Sequence, residues 1–285
     1  MTNLSKINFL DLFCFSFLLI SISCSQPEKQ QEEEPAQQVE IITDMGTIVL
    51  RLYNETPLHR DNFIKLVNEQ FYDSILFHRV IQNFMIQSGD PDSKVAEAGD
   101  ELGSTDLPYT IPAEFGPNLF HKRGALGAAR DGNPARASSS TQFYIVQGRV
   151  YSDSLLAVQE GRINTWLSMN RVVNDPLNKA MLDRRDQLRD ENPESDSIQL
   201  ISDALSELAT INLESSEKYK YPEAHQEVYK TIGGAAHLDQ NYTVFGEVVS
   251  GMEVIDKIAA AAANDADRPV EDIKIITARL VENKE

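Results

Sequence analysis

The sequence predicts a mainly β fold: a closed antiparallel β-barrel capped by two helices, with an inserted α-helical subdomain. Three observations carry this expectation. Short runs rich in β-branched and aromatic residues, punctuated by Gly, Asn and Asp, fill residues 39–150 and return over 233–282. Two stretches within those regions keep the apolar spacing of a one-faced helix. Residues 151–232 change texture, with apolar residues at three- and four-residue steps throughout.

Lys6 precedes an apolar run over residues 9–22, broken by Asp11, that leads to Ser23-Cys24. That run is shorter than the ~20 apolar residues of a membrane span, and small residues end it. Residues 1–24 therefore read as an export signal. Cys24 resembles the lipid-carrying cysteine of a bacterial lipobox, although Ser21 stands where such motifs usually hold leucine. The second cysteine, Cys14, falls inside the signal, which leaves one thiol and no disulfide in the mature chain. Lipid attachment at Cys24 accounts for that thiol. It implies a membrane-anchored protein of the bacterial cell envelope, facing the periplasm or displayed at the surface. Residues 25–38, rich in Gln, Glu and Pro, are too polar to bury a core and read as a flexible tether.

From Val39 the pattern becomes β. Residues 39–43 and 47–53 flank a turn at Asp44-Met45-Gly46 and read as a hairpin. Pro57 opens a helix whose apolar face is Phe63, Ile64, Leu66, Val67 and Phe71. Residues 75–81 and 84–87 are strands joined by a Gln82-Asn83 turn, and 124–129, 142–146, 243–249 and 273–281 supply more. A last helix covers residues 252–262. In the inserted region Leu155, Leu156, Val158, Ile163, Leu167 and Val172 form one expected face with Trp166 nearby, followed by helices over 176–189, 197–213 and 222–230. A structureless loop of that length is uncommon, so a helical subdomain beside the site is the expectation.

Composition narrows the function classes. The chain has 285 residues, 41% hydrophobic and 25% charged, enough for a sizeable core. With 44 acidic against 26 basic residues its net charge is −18, which excludes the electrostatic footprint of a nucleic-acid binder. The five histidines are scattered without metal-ligand spacing, so no metal or cofactor is expected. Ser138 to Thr141 is a hydroxyl run without a nucleophile elbow and reads as a turn.

The most informative stretch is FHRVIQNFMIQSGD, residues 77–90. It sets the cation of Arg79 beside the apolar pair Phe84 and Met85, with the amide of Gln87 close by. Two later segments complement it: GALGAAR with STQFYIVQG, within residues 124–148, and HLDQNYTVFGEVV, residues 237–249. In this order the three blocks resemble a cyclophilin-type peptidyl-prolyl cis/trans isomerase over residues 39–150 and 233–282. The resemblance implies a barrel enzyme that binds proline-containing polypeptides and stabilises the twisted imide without covalent chemistry. Arg79 would be the catalytic donor. Phe84, Met85, Tyr144 and Leu238 would wall the proline pocket, with Tyr242 at its edge, and Gln87 would hold the arginine and the substrate backbone. Ala129, Arg130 and Gln142 would line the groove for the residues before proline.

The chain departs from the eukaryotic pattern at three places. Tyr144 stands for a phenylalanine, His237 for the tryptophan associated with cyclic-peptide immunosuppressants, and Tyr242 for a histidine. Plainer readings also stand: Arg79 as an ion-pair partner of Glu114, one of Phe84 and Met85 as core, and His78 as a satisfied buried histidine. The competing functional class is a catalytically weak peptide-binding or chaperone module whose helical insertion recruits a partner.

Overall fold

The expected hairpin forms from Gln38–Thr43 (β1) and Gly46–Leu52 (β2), turning at Asp44 and Met45. The protein is described from a computed structural model over residues 35–281; the expected export signal, Cys24 and residues 25–34 of the expected tether lie outside the described residues. Pro57–Asn68 (α1) follows, with proline in its first turn, where the missing N–H costs nothing, and with Phe63, Leu66 and Val67 buried. Phe77–Ile81 (β3) and Met85–Ser88 (β4) form a second hairpin, with Asn83 in the left-handed region at φ 63°.

Thr110–Ile111 (β5) pairs with Ser138–Ser139 (β7) in a separate two-stranded piece. Ala125–Ala128 (β6) and Phe143–Val146 (β8) lie at the centre of the main sheet. Four helices come next: Asp153–Asn174 (α2), Lys179–Glu191 (α3), Asp196–Ser215 (α4) and Glu223–Thr231 (α5). Val244–Ser250 (β9), Met252–Ala259 (α6) and Ile275–Leu280 (β10) complete the chain.

Eight strands make one antiparallel sheet in the order β10-β1-β2-β9-β6-β8-β4-β3. The sheet curls until its edges meet. Backbone hydrogen bonds from Ser74 N to Ile275 O, Ile275 N to Ile75 O and Phe77 N to Ile273 O, each 2.8 Å, join the two ends. No long edge is left exposed along that seam.

Because successive strand residues face opposite ways, the central strands serve two layers. Ile86, Leu126, Phe143, Ile145 and Phe245 point into the main core with Phe63 of α1 and Ile255 of α6. Their neighbours Met85, Ala125, Tyr144, Val146 and Val244 point outward into a second cluster with Ala235 and Leu238. That outer cluster is the ground on which the site is built.

Helix α2 buries most of the expected face but not all of it, with Leu167 packed partly buried beside the others. Leu156, Ile163 and Val172 of α2 are buried, but Leu155 is 39% and Val158 63% exposed. The seam of α2 is instead completed by polar residues. Asn164 Nδ2 donates to Tyr219 O at 3.0 Å and accepts from Tyr219 N at 2.7 Å through Oδ1, while Ser168 donates to Ala209 O. These groups stand at helical spacing with Leu156 and Ile163, where Leu155 and Val158 do not.

Candidate active site

Strand register assembles the site. Arg79 of β3 is opposite Gln87 of β4, Gln87 is opposite Tyr144 of β8, and Tyr144 is opposite Gly127 of β6. Directly paired residues share a face, so these four form a row across the outer surface of the sheet. At Gly127 a Cβ would fall 2.3–2.5 Å from the Tyr144 ring and hydroxyl. Glycine is what lets the larger tyrosine ring lie down there.

The row lies in a cleft of about 220 Å³. Phe84, Met85, Tyr144, Leu238 and Tyr242 form its apolar side, and Arg79, Gln87, Ala129, Arg130 and Gln142 are among the residues that line the remainder. Every cleft residue singled out from the sequence is brought together here. Phe84 precedes β4 in the turn, so strand alternation does not separate it from Met85, and both reach the cleft.

Two expected partnerships differ. Arg79 Nε donates to Asp267 at 3.2 Å, not to Glu114, which accepts from His59 Nδ1 at 2.7 Å and from the Leu58 and His59 amides. Gln87 does not hold the arginine either. Its Nε2 donates to Gln142 Oε1 at 3.0 Å, and Gln142 Nε2 donates to Gly103 O and Thr105 O. The two glutamines thus form an amide chain along one wall. Asp267 is brought to β3 by Val80 N, which donates to Asp267 O at 2.8 Å. Among the described residues the Arg79 side chain has no other hydrogen bond, which leaves its terminal nitrogens for the cleft.

On the opposite rim Arg130 is fully engaged. Its Nε and Nη2 donate to Asn241 O and Oδ1 at 2.9 and 2.7 Å, and its guanidinium lies 5.0 Å from the Tyr242 ring. His237 stacks obliquely on Phe84 with centroids 5.0 Å apart. Burial, reinforced by nearby His121 and two arginines, lowers its pKa to about 4. It is therefore a neutral ring at the edge of the cleft.

The Tyr144 hydroxyl does not open into the cleft as a free polar group. It bonds His121 Nε2 at 2.8 Å, and His121 Nδ1 meets Asp239 at 2.7 Å. Burial keeps the phenol far above its ordinary pKa, so it remains a neutral donor. His121 and Asp239 adjoin the quoted motifs, directly before the GALGAAR block and within HLDQNY, yet their roles depend on contacts 118 residues apart. His78 departs from expectation in another way. It is buried, but neither ring nitrogen has a partner among the described residues. Its ring packs behind Gly103, which lines the cleft, and does not itself line it.

Comparison with known proteins identifies a family for the chain. The family described as cyclophilin type peptidyl-prolyl cis-trans isomerase/CLD matches residues 38–172 and 211–280, more than half of the chain. A candidate peptidyl-prolyl cis-trans isomerase of Staphylococcus saprophyticus is 28% identical over 84% of this chain and 89% of its own. A candidate bifunctional phosphatase/peptidyl-prolyl cis-trans isomerase of Streptococcus pyogenes is 27% identical over 91% of this chain, which spans only 42% of that relative. A crystal structure of a Cryptosporidium parvum cyclophilin type isomerase aligns with TM-score 0.48 and 18% identity, covering 87% of this chain and 99% of that one. By its matched segments, the chain belongs to the cyclophilin-type peptidyl-prolyl cis/trans isomerase family.

Proposed function

We propose that the cleft turns peptidyl-prolyl bonds in exported polypeptides by holding the imide in its twisted form. The observation that carries this is the placement of Arg79, tethered by Asp267, beside the apolar wall of Phe84, Met85, Tyr144 and Leu238. Amide resonance sets a barrier of about 18–20 kcal/mol, and no nucleophile or base is needed to cross it. As the bond twists, the proline nitrogen recovers its lone pair and becomes an acceptor. A guanidinium already in position stabilises that state more than either planar form, which is the condition for catalysis. The apolar wall suits an uncharged five-membered ring, while the Gln87 and Gln142 amides offer polar contacts to the flanking backbone.

The test is direct. Catalytic amounts of the chain should speed the exchange of a short proline peptide well beyond its uncatalysed time of tens of seconds at 25 °C. An unchanged exchange rate at every enzyme concentration would overturn the reading.

Export and anchoring rest on sequence alone. The run over residues 9–22 and the lipobox-like Cys24 support a chain tethered to the bacterial envelope by lipid. Cys24→Ser should abolish incorporation of labelled palmitate and release the protein from membranes. Unaltered labelling in that variant would contradict the anchor.

A further inference from the structure

Tyrosine in the wall of a greasy pocket poses a problem that the helical insertion helps to solve. A buried hydroxyl is costly unless bonded, and Tyr144 is only 4% exposed. Its partner His121 is fully buried, Asp239 is 1% exposed, and Tyr229 of α5 is fully buried, so no solvent replaces a lost contact. Tyr229 Oη donates to Asp239 Oδ2 at 2.7 Å. Asp239 Oδ1 accepts from the His121 amide at 2.9 Å and faces His121 Nδ1 at 2.7 Å. A carboxylate has only acceptors, so Nδ1 carries the imidazole proton. The Tyr144 hydroxyl has no other acceptor among the described residues, so it donates to Nε2 at 2.8 Å.

We propose that Tyr229, Asp239 and His121 are positioning residues, a buried relay by which α5 fixes the tilt and hydroxyl direction of Tyr144 in the proline pocket. This rests on the isomerase reading of the cleft. The donors converge on one carboxylate, Tyr229 directly and Tyr144 through His121. With its proton turned inward, Tyr144 offers the cleft only its ring, stacked parallel to His121 at 13° and edge-on to Tyr242 at 83°. The vacancy at Gly127 gives that ring its berth, and the relay stops it from swinging out. Loss of the Tyr229 hydroxyl would leave one oxygen of a buried carboxylate without its donor and loosen the ring that receives proline.

A double-mutant cycle tests this through kcat and KM for a short proline peptide. Tyr229→Phe removes one oxygen, and it should raise KM about tenfold with kcat within about twofold, the pattern of lost uniform binding. In a Tyr144→Phe background, where there is no hydroxyl to orient, adding Tyr229→Phe should leave KM within about twofold. Equal KM shifts in both backgrounds would mean a merely structural role and overturn the proposal, as would no shift in the parent. Should Tyr229→Phe fail to fold, Asp239→Asn carries the same cycle. Nitrogen NMR of the folded parent should show His121 protonated at Nδ1 with Nε2 accepting; the reverse tautomer overturns the relay. A parent that exchanges no peptide defeats the isomerase reading instead, and the tautomer then decides the relay by itself.

Discussion

In the proposed mechanism Arg79 is aimed by a modest contact. Its pair with Asp267 has both side chains 42% exposed, so screening keeps the pair weak and its role is aim more than stability. Asp267 sits in the left-handed region at φ 61°, with its N–H donating to Asn264 O at 3.0 Å. Asp267→Ala should leave the melting temperature unchanged and lower kcat/KM by up to about fivefold, the range of an exposed pair. A calorimetric scan and a turnover assay together check it. His78 bears on stability instead. Burial lowers its pKa from 6.5 to about 4, against a smaller raising effect from Asp90. The unfolded chain takes up this proton near pH 6.5 and the folded chain only near pH 4, so the unfolded state binds more protons between them. Stability is therefore full above about pH 6.5 and falls by about 1 kcal/mol per pH unit toward pH 4. Urea titrations at pH 7 and 5 should show the loss, and His78→Leu should reduce it; an identical slope in the variant would contradict this.

At the scale of elements, the cross-sheet row is the design. Register places Arg79, Gln87, Tyr144 and Gly127 side by side, and alternation gives Phe143 to the core and Tyr144 to the cleft. Two glycines separate packing from propensity. Gly127→Ala drives a methyl into the Tyr144 ring and should cost about 1–3 kcal/mol in denaturant unfolding. Gly161→Ala, in the exposed middle of α2 with open space around its Cβ, should stabilise by about 0.5–1 kcal/mol. The hairpins, α1 and α6 were legible because alternation, Pro57 and the Gln82-Asn83 turn are local signals, whereas Arg79, Gln87 and Tyr144 came from the family resemblance and the berth at Gly127 was not foreseen. Asp267, His121 and Asp239 were not, since each acts by reaching a partner far away in sequence. The buried face of α2 was read incompletely for a related reason: Leu156, Ile163 and Val172 were found, but Asn164 and Ser168 are buried by bonds to Tyr219 and Ala209, which hydrophobicity alone does not mark.

For the molecule as a whole, the barrel and the inserted helices share buried ground. Tyr229, Tyr221, Leu156 and Ile163 pack in one cluster with Tyr151, the first residue of the insertion, and Ala236, just beyond its end, and the Tyr221 hydroxyl donates to Ala236 O at 2.7 Å. Replacing residues 153–231 by a short linker should lower the melting temperature by more than about 5 °C, because that cluster loses its cover. A truncated barrel as stable as the parent would show the cluster to be dispensable. The central claim, however, concerns one guanidinium. It is tested most directly by exchange NMR on parent and Arg79→Ala at saturating proline peptide, with peptide affinity measured alongside. The expected result is a kcat lower by about 10²–10³ with affinity within about threefold, as for removal of a preorganised donor. Exchange by Arg79→Ala as fast as by the parent would contradict the account.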